Sequence, residues 1–194
     1  MPAVYLLKPG SIKRDEQGAI LDARSSSTLI LSQSHKIVVD SGQHGEEWAI
    51  LQSLADLQIR PEEVDILVNT HSHPDHCGNN HLFSQARAPA AAKDGDMIAP
   101  AVYIMATPGH SPDSISVVVE ADQTVVMAGD ALPTLGNYLK KVPPALHTDR
   151  DLALASMNRI IEIADIVIPG HDLPFSLRKD AYVPLPFFIG SLEQ

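Results

Sequence analysis

The amino-acid sequence predicts a mixed α and β fold in which strands outnumber helices. Three β-branched runs follow one another in the second half of the chain, at Val102–Thr107, Ser114–Glu120 and Thr124–Met127. Apolar residues recur with helical spacing in Glu46–Leu57 and again in the stretch that begins at Thr148. Strands followed by a helix therefore occur twice. A chain of 194 residues with 44% apolar content suits one domain over residues 1–194 with a sizeable core.

The first half of the chain predicts a strand, a hairpin and a helix. Val4–Leu7 is a short apolar run, and the polar stretch Ser11–Asp22 predicts a hairpin or a loop. Thr28–Leu31 and Lys36–Val39 are apolar runs separated by turn residues, which predicts a second hairpin. Glu46–Leu57 predicts the helix. The apolar positions on one face of this helix are Trp48, Leu51, Leu54 and Ala55.

The second half contains a strand before each helical stretch. Val64–Asn69 predicts a strand, and Gly78–Phe83 predicts the start of a helix. Thr148 and Asp151 have the spacing of a capping box, which marks the beginning of a helix. The apolar stripe of this last helix consists of Ala153, Met157, Ile160, Ile161 and Ala164. Asp165–Ile168 then predicts a strand.

Composition and charge disfavour several classes of protein. The net charge of −10 and the lack of a lysine–arginine run argue against dedicated nucleic-acid binding. No window has the length and hydropathy of a membrane span, and Met1–Leu7 lacks the features of a signal peptide. The single cysteine excludes an intramolecular disulfide and suits a reducing compartment. We therefore expect a cytoplasmic protein with no membrane partner.

Histidine and aspartate cluster directly after a predicted strand. The sequence His71-Ser72-His73-Pro74-Asp75-His76 places four potential metal ligands within six residues. Imidazole and carboxylate are the ligands that zinc and iron bind in proteins. In an extended loop, His71 and His73 point the same way because side chains alternate along the chain. The proline bends the chain before Asp75 and His76, so these two could serve a second metal. A polar surface loop is the alternative interpretation.

Three later segments supply further ligands and favour the metal interpretation. Each ends an apolar run, turns through glycine and presents a ligand: Thr107–His110, Ala128–Asp130 and Pro169–His171. The complete pattern, HxHxDH followed by His, Asp and His, resembles that of the metallo-β-lactamase superfamily. The run Ala164–His171, followed by Leu173-Pro174-Phe175, resembles the small single-domain metallo-β-lactamase domain-containing proteins. This resemblance implies a four-layer αβ/βα sandwich, in which two mixed sheets are flanked by helices.

The resemblance also implies a dinuclear site for two divalent metal ions. The ligands of the first ion would be His71, His73 and His110. Those of the second would be Asp75, His76 and His171, with Asp130 as the bridge between the ions. We expect zinc, with iron or manganese as alternatives. A bridging hydroxide would attack the substrate, and Asp75 would orient that hydroxide or carry its proton.

Hydrolysis is the activity implied by the resemblance. We expect a metal-dependent hydrolase whose partner is a small-molecule substrate with an ester, thioester or phosphodiester-like bond. Two alternatives keep the same motif. One is a mononuclear-iron oxygenase of the persulfide dioxygenase type, and the other is a metal-binding protein without turnover. The number and kind of metal ions per chain distinguish the hydrolase from the oxygenase.

Three polar residues are candidates for supporting the ligand loops. Asp40 follows the predicted strand Lys36–Val39, where members of the superfamily often carry an acidic residue. Capping of a turn is an equally good interpretation of Asp40. Asp113 and Ser114 follow His110 closely and could bond to a ligand histidine, or could cap a turn.

The final segment, residues 181–194, is unusually apolar for a chain end. Its apolar part is Tyr182–Ile189. One interpretation is that the segment packs on the core of its own chain. The other is that it forms the interface of a homodimer and covers an otherwise exposed apolar patch.

Overall fold

The computed structural model describes residues 1–89 and 93–190 of the chain. The strands in this part of the chain are β1 (Ala3–Lys8), β2 (Ser11–Arg14), β3 (Ile20–Arg24), β4 (Ser27–Ser32), β5 (His35–Val39), β6 (Ile66–Val68), β7 (Met97–Ala99), β8 (Val102–Ala106), β9 (Ile115–Glu120), β10 (Thr124–Gly129), β11 (Ile166–Pro169), β12 (Phe175–Ser176), β13 (Ala181–Tyr182) and β14 (Phe188–Ile189). The α-helices are α1 (Glu47–Asp56), α2 (Pro74–Cys77), α3 (Leu135–Lys140) and α4 (Arg150–Ile163). Short 3-10 helices lie at Pro61–Glu63 and Asn80–Phe83.

Two mixed sheets contain most of these strands. The first has the spatial order β14-β1-β4-β5-β6, and the second has the order β13-β12-β11-β10-β9-β8-β7. Each sheet has one parallel pair, β5–β6 in the first and β10–β11 in the second, and the other described pairs are antiparallel. Strands β2 and β3 pair with each other as a separate hairpin. The polar stretch predicted as a hairpin or a loop is therefore a hairpin.

An aliphatic core lies between the two sheets. On β5, Ile37 and Val39 face this core, together with alternate residues of β6, β8, β9, β10 and β11. Val38, which lies between them, packs on the other side of the sheet against Ile50 and Leu54 of α1. The period of two along each strand therefore gives each sheet two apolar faces.

A third apolar cluster completes the layers. Val118 and Val126 on the outer face of the second sheet pack with Met157 and Ile160 of α4. Helix, sheet, sheet and helix are thus stacked in that order, and the predicted αβ/βα sandwich is confirmed. No helix in the described residues is long and apolar enough to cross a membrane.

The apolar face predicted for the first helix is partly wrong. Trp48 is 75% exposed, and the residues that α1 buries are Ile50 and Leu54. The buried positions are four residues apart, so they lie on one face that the tryptophan does not share. A large apolar side chain weighs heavily in a sequence pattern, yet nothing prevents it from lying on the solvent side of a helix.

The last helix begins one residue later than the capping-box spacing predicts. Asp149 is its N-terminal cap, and the Asp149 carboxylate accepts a hydrogen bond of 3.0 Å from the backbone N–H of Leu152. Thr148 instead donates its hydroxyl hydrogen to the carbonyl oxygen of Gly109, 3.1 Å away. The predicted stripe is correct at its first three positions, since Ala153, Met157 and Ile160 are buried.

The described part of the apolar tail packs on its own chain. Strand β14 pairs with β1, Phe187 is buried in the central core, and the rings of Tyr5 and Phe188 lie 4.7 Å apart. The segment thus extends the first sheet at its edge. Residues 191–194 lie outside the described residues, and a homodimer through this edge stays a prediction.

We expect the Asp149→Ala substitution to lower the free energy of unfolding by about 1 kcal/mol, because it removes the cap of α4. Chemical denaturation followed by circular dichroism would measure the change. Asp151→Ala is the control, since Asp151 is an exposed carboxylate in the same first turn. Equal losses in the two variants would show that the capping hydrogen bond is unimportant.

Candidate metal centre

The loops that carry the candidate ligands meet at one end of the sandwich. His110 follows β8, Asp130 follows β10 and His171 follows β11. Strand β11 is parallel to β10, and β8 runs in the same direction because both β8 and β10 are antiparallel to β9. Their carboxyl ends therefore lie at the same edge of the second sheet. From the first sheet, β6 delivers His71 and the helix α2 to the same place.

Three histidines form a first group of donor atoms. The Nε2 atom of His71 lies 3.0 Å from Nδ1 of His73, and Nε2 of His110 lies 3.0 Å from the same Nδ1 atom. All three donor atoms lie within 4.8 Å of one another. This is the group that the sequence predicts for a first metal ion.

A second group of donor atoms lies beside the first. The Oδ2 atom of Asp75 is 3.5 Å from Nε2 of His171 and 3.8 Å from Nε2 of His76. The three residues have donor atoms within 4.8 Å of one another. This group corresponds to the ligands predicted for a second ion.

The carboxylate of Asp130 lies between the two groups. Its Oδ1 atom is 3.1 Å from Nε2 of His171 and 3.3 Å from Nε2 of His76. Its Oδ2 atom is 3.4 Å from Nε2 of His110, which belongs to the first group. One carboxylate therefore reaches both groups, as a bridging ligand would.

The donor set fits divalent metal ions. Among the described residues, Nε2 of His76 and Oδ1 of Asp130 are buried and have no hydrogen-bond partner. An unpartnered buried polar atom is costly, so two such atoms facing each other point to a cation. Imidazole nitrogen and carboxylate oxygen are suitable ligands for zinc, iron and manganese.

Hydrogen bonds fix which ring nitrogen faces the centre in three of the histidines. Nδ1 of His76 donates to Asp40, Nδ1 of His110 donates to the carbonyl oxygen of Leu146, and both distances are 2.7 Å. Nδ1 of His171 donates to the carbonyl oxygen of Arg24 over 3.0 Å. Because Nδ1 carries the proton in each case, the lone pair of Nε2 points into the cluster.

The buried Asp40 carboxylate organises the loop before the cluster. It accepts hydrogen bonds from the backbone N–H of Thr70 at 2.7 Å and from the Thr70 hydroxyl at 2.9 Å. The same hydroxyl oxygen lies 3.2 Å from Nδ1 of His71 and can accept its proton. The structure thus places the Asp40 carboxylate in contact with His76 and with Thr70, whose hydroxyl contacts His71.

The surroundings shift the pKa values of His71 and His76 in opposite directions. Burial, together with the nearby imidazoles, lowers the pKa of His71 to about 3, so its ring is neutral and able to bind a metal. Burial also disfavours the charged form of His76, but the carboxylates of Asp40 and Asp130 outweigh it and raise the pKa well above its usual value. Positive charge is therefore stabilised between these two carboxylates.

Asp113 and Ser114 lie near the cluster but make other contacts. Asp113 accepts hydrogen bonds from the backbone N–H of Ser72 at 3.2 Å and from the hydroxyl of Ser111 at 2.6 Å. The hydroxyl of Ser114 lies 2.7 Å from the hydroxyl of Ser111. These bonds tie the turn after His110 to the first ligand loop, and they match the turn-capping alternative for both residues.

Two glycines allow the close packing of the ligand loops. A Cβ atom on Gly170 would collide with Oδ1 of Asp130, and one on Gly109 would collide with the backbone of Ala153. Gly109 also has a φ angle of +130°, which other residues rarely adopt. Glycine before His110 and His171 is therefore a steric requirement.

A cavity of about 410 Å³ opens over the cluster. His73, Asp75, His110, Asp130 and His171 form its floor. The β2–β3 hairpin and the loop that follows α3 form walls of this cavity. The apolar residues of these walls are Ile12, Ile20, Leu21, Ala23, Pro144, Ala145 and Leu146.

The sandwich and its histidine-rich end define the class of protein. Residues 22–96 and 91–171 match the family model of the metallo-beta-lactamase superfamily. These two matches cover more than half of the chain. The chain belongs to the metallo-β-lactamase superfamily, as the ligand pattern predicts, and this membership implies that it binds divalent metal.

Two curated relatives refine this assignment. A probable metallo-hydrolase of Methanocaldococcus jannaschii is 37% identical over an alignment of 179 positions, which covers 87% of this chain and 86% of that protein. Metallo-beta-lactamase domain-containing protein 1 of Mus musculus is 33% identical over an alignment of 181 positions, which covers 82% of this chain and 68% of the mouse protein. The predicted resemblance to small metallo-β-lactamase domain-containing proteins is confirmed.

A solved structure shows the same fold. It is an N-acyl homoserine lactone hydrolase with the product N-hexanoyl-L-homoserine bound at the catalytic metal centre. The TM-score is 0.74 at 20% sequence identity, and the match covers 96% of this chain and 98% of that chain.

Sequence reasoning missed three groups that orient the histidines. Thr70 directly precedes the ligand cluster, and its position could have suggested a supporting role. The carbonyl oxygens of Arg24 and Leu146 are backbone atoms, so no residue type marks them. Their loops are distant in sequence from His171 and His110, and only the folded chain brings them together.

We expect Asp40→Asn to weaken metal binding at the group that contains His76 by about tenfold to one hundredfold. Asparagine tolerates the φ angle of +57° at this position, so the change acts mainly on charge and hydrogen bonding. Competition with a chromophoric chelator would measure the affinity. Asp113→Asn, next to the ligand loop, is the control, and equal affinities in the two variants would argue against the role of Asp40.

Proposed function

We propose that this protein is a metal-dependent hydrolase with a dinuclear site that acts on a small carboxylic ester, lactone or thioester. The observation that carries the proposal is the Asp130 carboxylate, whose two oxygen atoms reach histidines of both donor groups. A shared carboxylate is suited to holding two cations at the short separation that two-metal hydrolysis requires. The relatives described above, a probable metallo-hydrolase and a lactone hydrolase, support a hydrolytic reaction.

The proposed ligands are those predicted from the sequence. The first set consists of His71, His73 and His110, and the second consists of Asp75, His76 and His171, with Asp130 shared between them. Two divalent ions held there would supply Lewis acidity, which lowers the pKa of a water molecule and polarises the substrate carbonyl. Zinc is the proposed metal, because imidazole nitrogens dominate the donor set.

Asp75 is the proposed proton carrier of the reaction. It lies on the floor of the cavity, and its side chain is 24% exposed, whereas Asp130 is almost enclosed. One oxygen of Asp75 faces the imidazoles of His76 and His171. A carboxylate at the boundary between ligands and cavity can accept a proton from the attacking water and return it to the leaving group.

The cavity walls favour a neutral substrate with an apolar part. Leu21 of the hairpin and Leu146 of the loop after α3 are large apolar side chains, 68% and 64% exposed, that line the cavity. Arg14 is the cation among the residues that line the described cavity. A pocket with apolar walls suits an acyl group better than the flanking charges of a phosphodiester. Among the bonds expected from the sequence, we therefore propose the carboxylic esters and thioesters.

We expect the purified protein to contain two zinc-like ions per chain, and we expect Asp75→Asn to lower kcat by about a hundredfold or more. Elemental analysis and ester hydrolysis on the same sample would test both. Asp151→Asn, which changes an exposed carboxylate, is the control. If the protein instead contains one iron ion per chain and consumes oxygen when a persulfide is added, the hydrolase proposal is wrong and the oxygenase is supported. Two bound ions without turnover on any ester, lactone or thioester would favour a binding protein.

We also expect kcat/KM to rise by roughly threefold for each methylene in a series of acyl esters from acetyl to octanoyl, until the walls are filled. The double variant Leu21→Ser/Leu146→Ser should lower the octanoyl-to-acetyl ratio by about tenfold. Leu152→Ser, at an exposed leucine of α4, is the matched control. A ratio that is the same in all three proteins would show that the walls do not contact the acyl group.

A further inference from the structure

A buried lysine lies at the end of β1, away from the candidate ligands. The side chains of Lys8 and Glu46 are each only 8% exposed, and Nζ of Lys8 is 3.1 Å from Oε1 of Glu46. The Lys8 ammonium also donates to the carbonyl oxygens of Ser25 at 2.5 Å and Pro9 at 3.2 Å. Burial lowers the pKa of Lys8, although Glu46 opposes this effect. Burying a charged pair costs desolvation free energy that the attraction between the charges often fails to offset. Stability alone therefore does not explain this pair.

The Lys8–Glu46 pair connects two segments that line the cavity. Oε2 of Glu46 accepts a hydrogen bond of 3.0 Å from the backbone N–H of Gln43, a residue of the cavity lining. Oε1 of Glu46 also lies 3.5 Å from Nη1 of Arg24, at the end of β3. Lys8 holds the next residue, Ser25, by its carbonyl oxygen. The pair thus fixes the base of the β2–β3 hairpin.

The base of the hairpin is in turn packed against the loop that carries His171. The backbone N–H of Ser26 donates to the carbonyl oxygen of Gly170, and the Ser26 hydroxyl donates to that of Pro169, both over 2.8 Å. The carbonyl oxygen of Arg24 accepts the hydrogen bond from Nδ1 of His171. The adjoining chain approaches so closely that a Cβ atom on Gly10 would collide with Gly170 and His171.

We propose that the Lys8–Glu46 pair is a positioning device for the second ligand group. It holds the segment Arg24–Ser26 in place, and this segment presents the carbonyl oxygen that orients the His171 ring. The pair also holds the hairpin that forms a wall of the cavity. The geometry of the candidate metal ligands and the shape of the cavity therefore depend on the same buried contact. This inference rests on the proposed two-metal function, since it assigns His171 to the second ion.

Replacing both charged residues of the pair tests its positioning role separately from its contribution to stability. A buried ion pair can often be replaced by apolar residues of similar size without loss of stability. The variant Lys8→Met/Glu46→Leu should therefore unfold at nearly the wild-type temperature. This variant lacks the ammonium that donates to the carbonyl oxygen of Ser25 and the carboxylate that accepts from the backbone N–H of Gln43. The hairpin base should therefore lose its fixed position.

We expect the double variant to bind the second metal ion at least tenfold more weakly, with the first ion unaffected. Chelator competition would measure both affinities, and His171→Ala would identify the step that belongs to the second group. Lys36→Met is the control, because it breaks a more exposed pair in which Nζ of Lys36 lies 3.6 Å from Glu63. Lys8→Met is the fallback if the double variant does not fold, since Glu46 then keeps Arg24 as a partner.

Amide hydrogen exchange provides a readout that is independent of metal and of turnover. The Ser26 amide should exchange at least tenfold faster in the double variant, and no faster in Lys36→Met. Unchanged metal affinity and unchanged Ser26 protection in the double variant would overturn the positioning role. A failure of the proposed function would instead appear in the wild-type protein, as fewer than two bound ions, and Ser26 exchange would then decide the positioning role by itself.

Discussion

The histidine-rich end of this sandwich depends on keeping imidazole and carboxylate groups together in positions that are largely buried from water. Asp130, His76 and His171 are buried, and their polar atoms face one another. Such a cluster is stable only if each group has a partner or a cation. On the outer side, the protein supplies the partner, an acceptor for each Nδ1–H. On the inner side, Nε2 of His76 and Oδ1 of Asp130 have no hydrogen-bond partner among the described residues, so a metal cation would stabilise them.

The sandwich fold meets this demand by using strand ends. Parallel strands, or strands related through an antiparallel neighbour, end at the same edge of a sheet, so residues far apart in sequence arrive at one place. The rigid core between the sheets then fixes the distances among the loops. Glycine before His110 and before His171 lets these loops approach their neighbours, and the buried Asp40 holds the loop before the first cluster.

Residue type alone predicts a mixed α and β fold and the histidine–aspartate cluster, and the resemblance to the superfamily adds the αβ/βα layering. Alternating valine and isoleucine mark the strands, and the spacing His71, His73, Asp75, His76 is specific. The remaining details depend on the folded chain. Arg24 and Leu146 orient histidines through carbonyl oxygens, which every residue possesses. Helical spacing assigns Trp48 to the buried face, yet the face that α1 buries is set by where the helix meets the sheet. The cap at Asp149 rather than Thr148 is a shift of one residue that spacing alone cannot resolve.

The β2–β3 hairpin pairs with neither of the large sheets in the described residues, although its base is bound to them. Its tip therefore contributes little to the core. Changes in the length or sequence of the tip should cost little stability, since loop entropy grows only slowly with length. During evolution, the hairpin tip can therefore vary and alter the shape of the cavity wall, while the loops that carry the candidate metal ligands stay constant. Diversification within this group of proteins should accordingly concentrate in the tip, with the residues at its base under much stronger constraint.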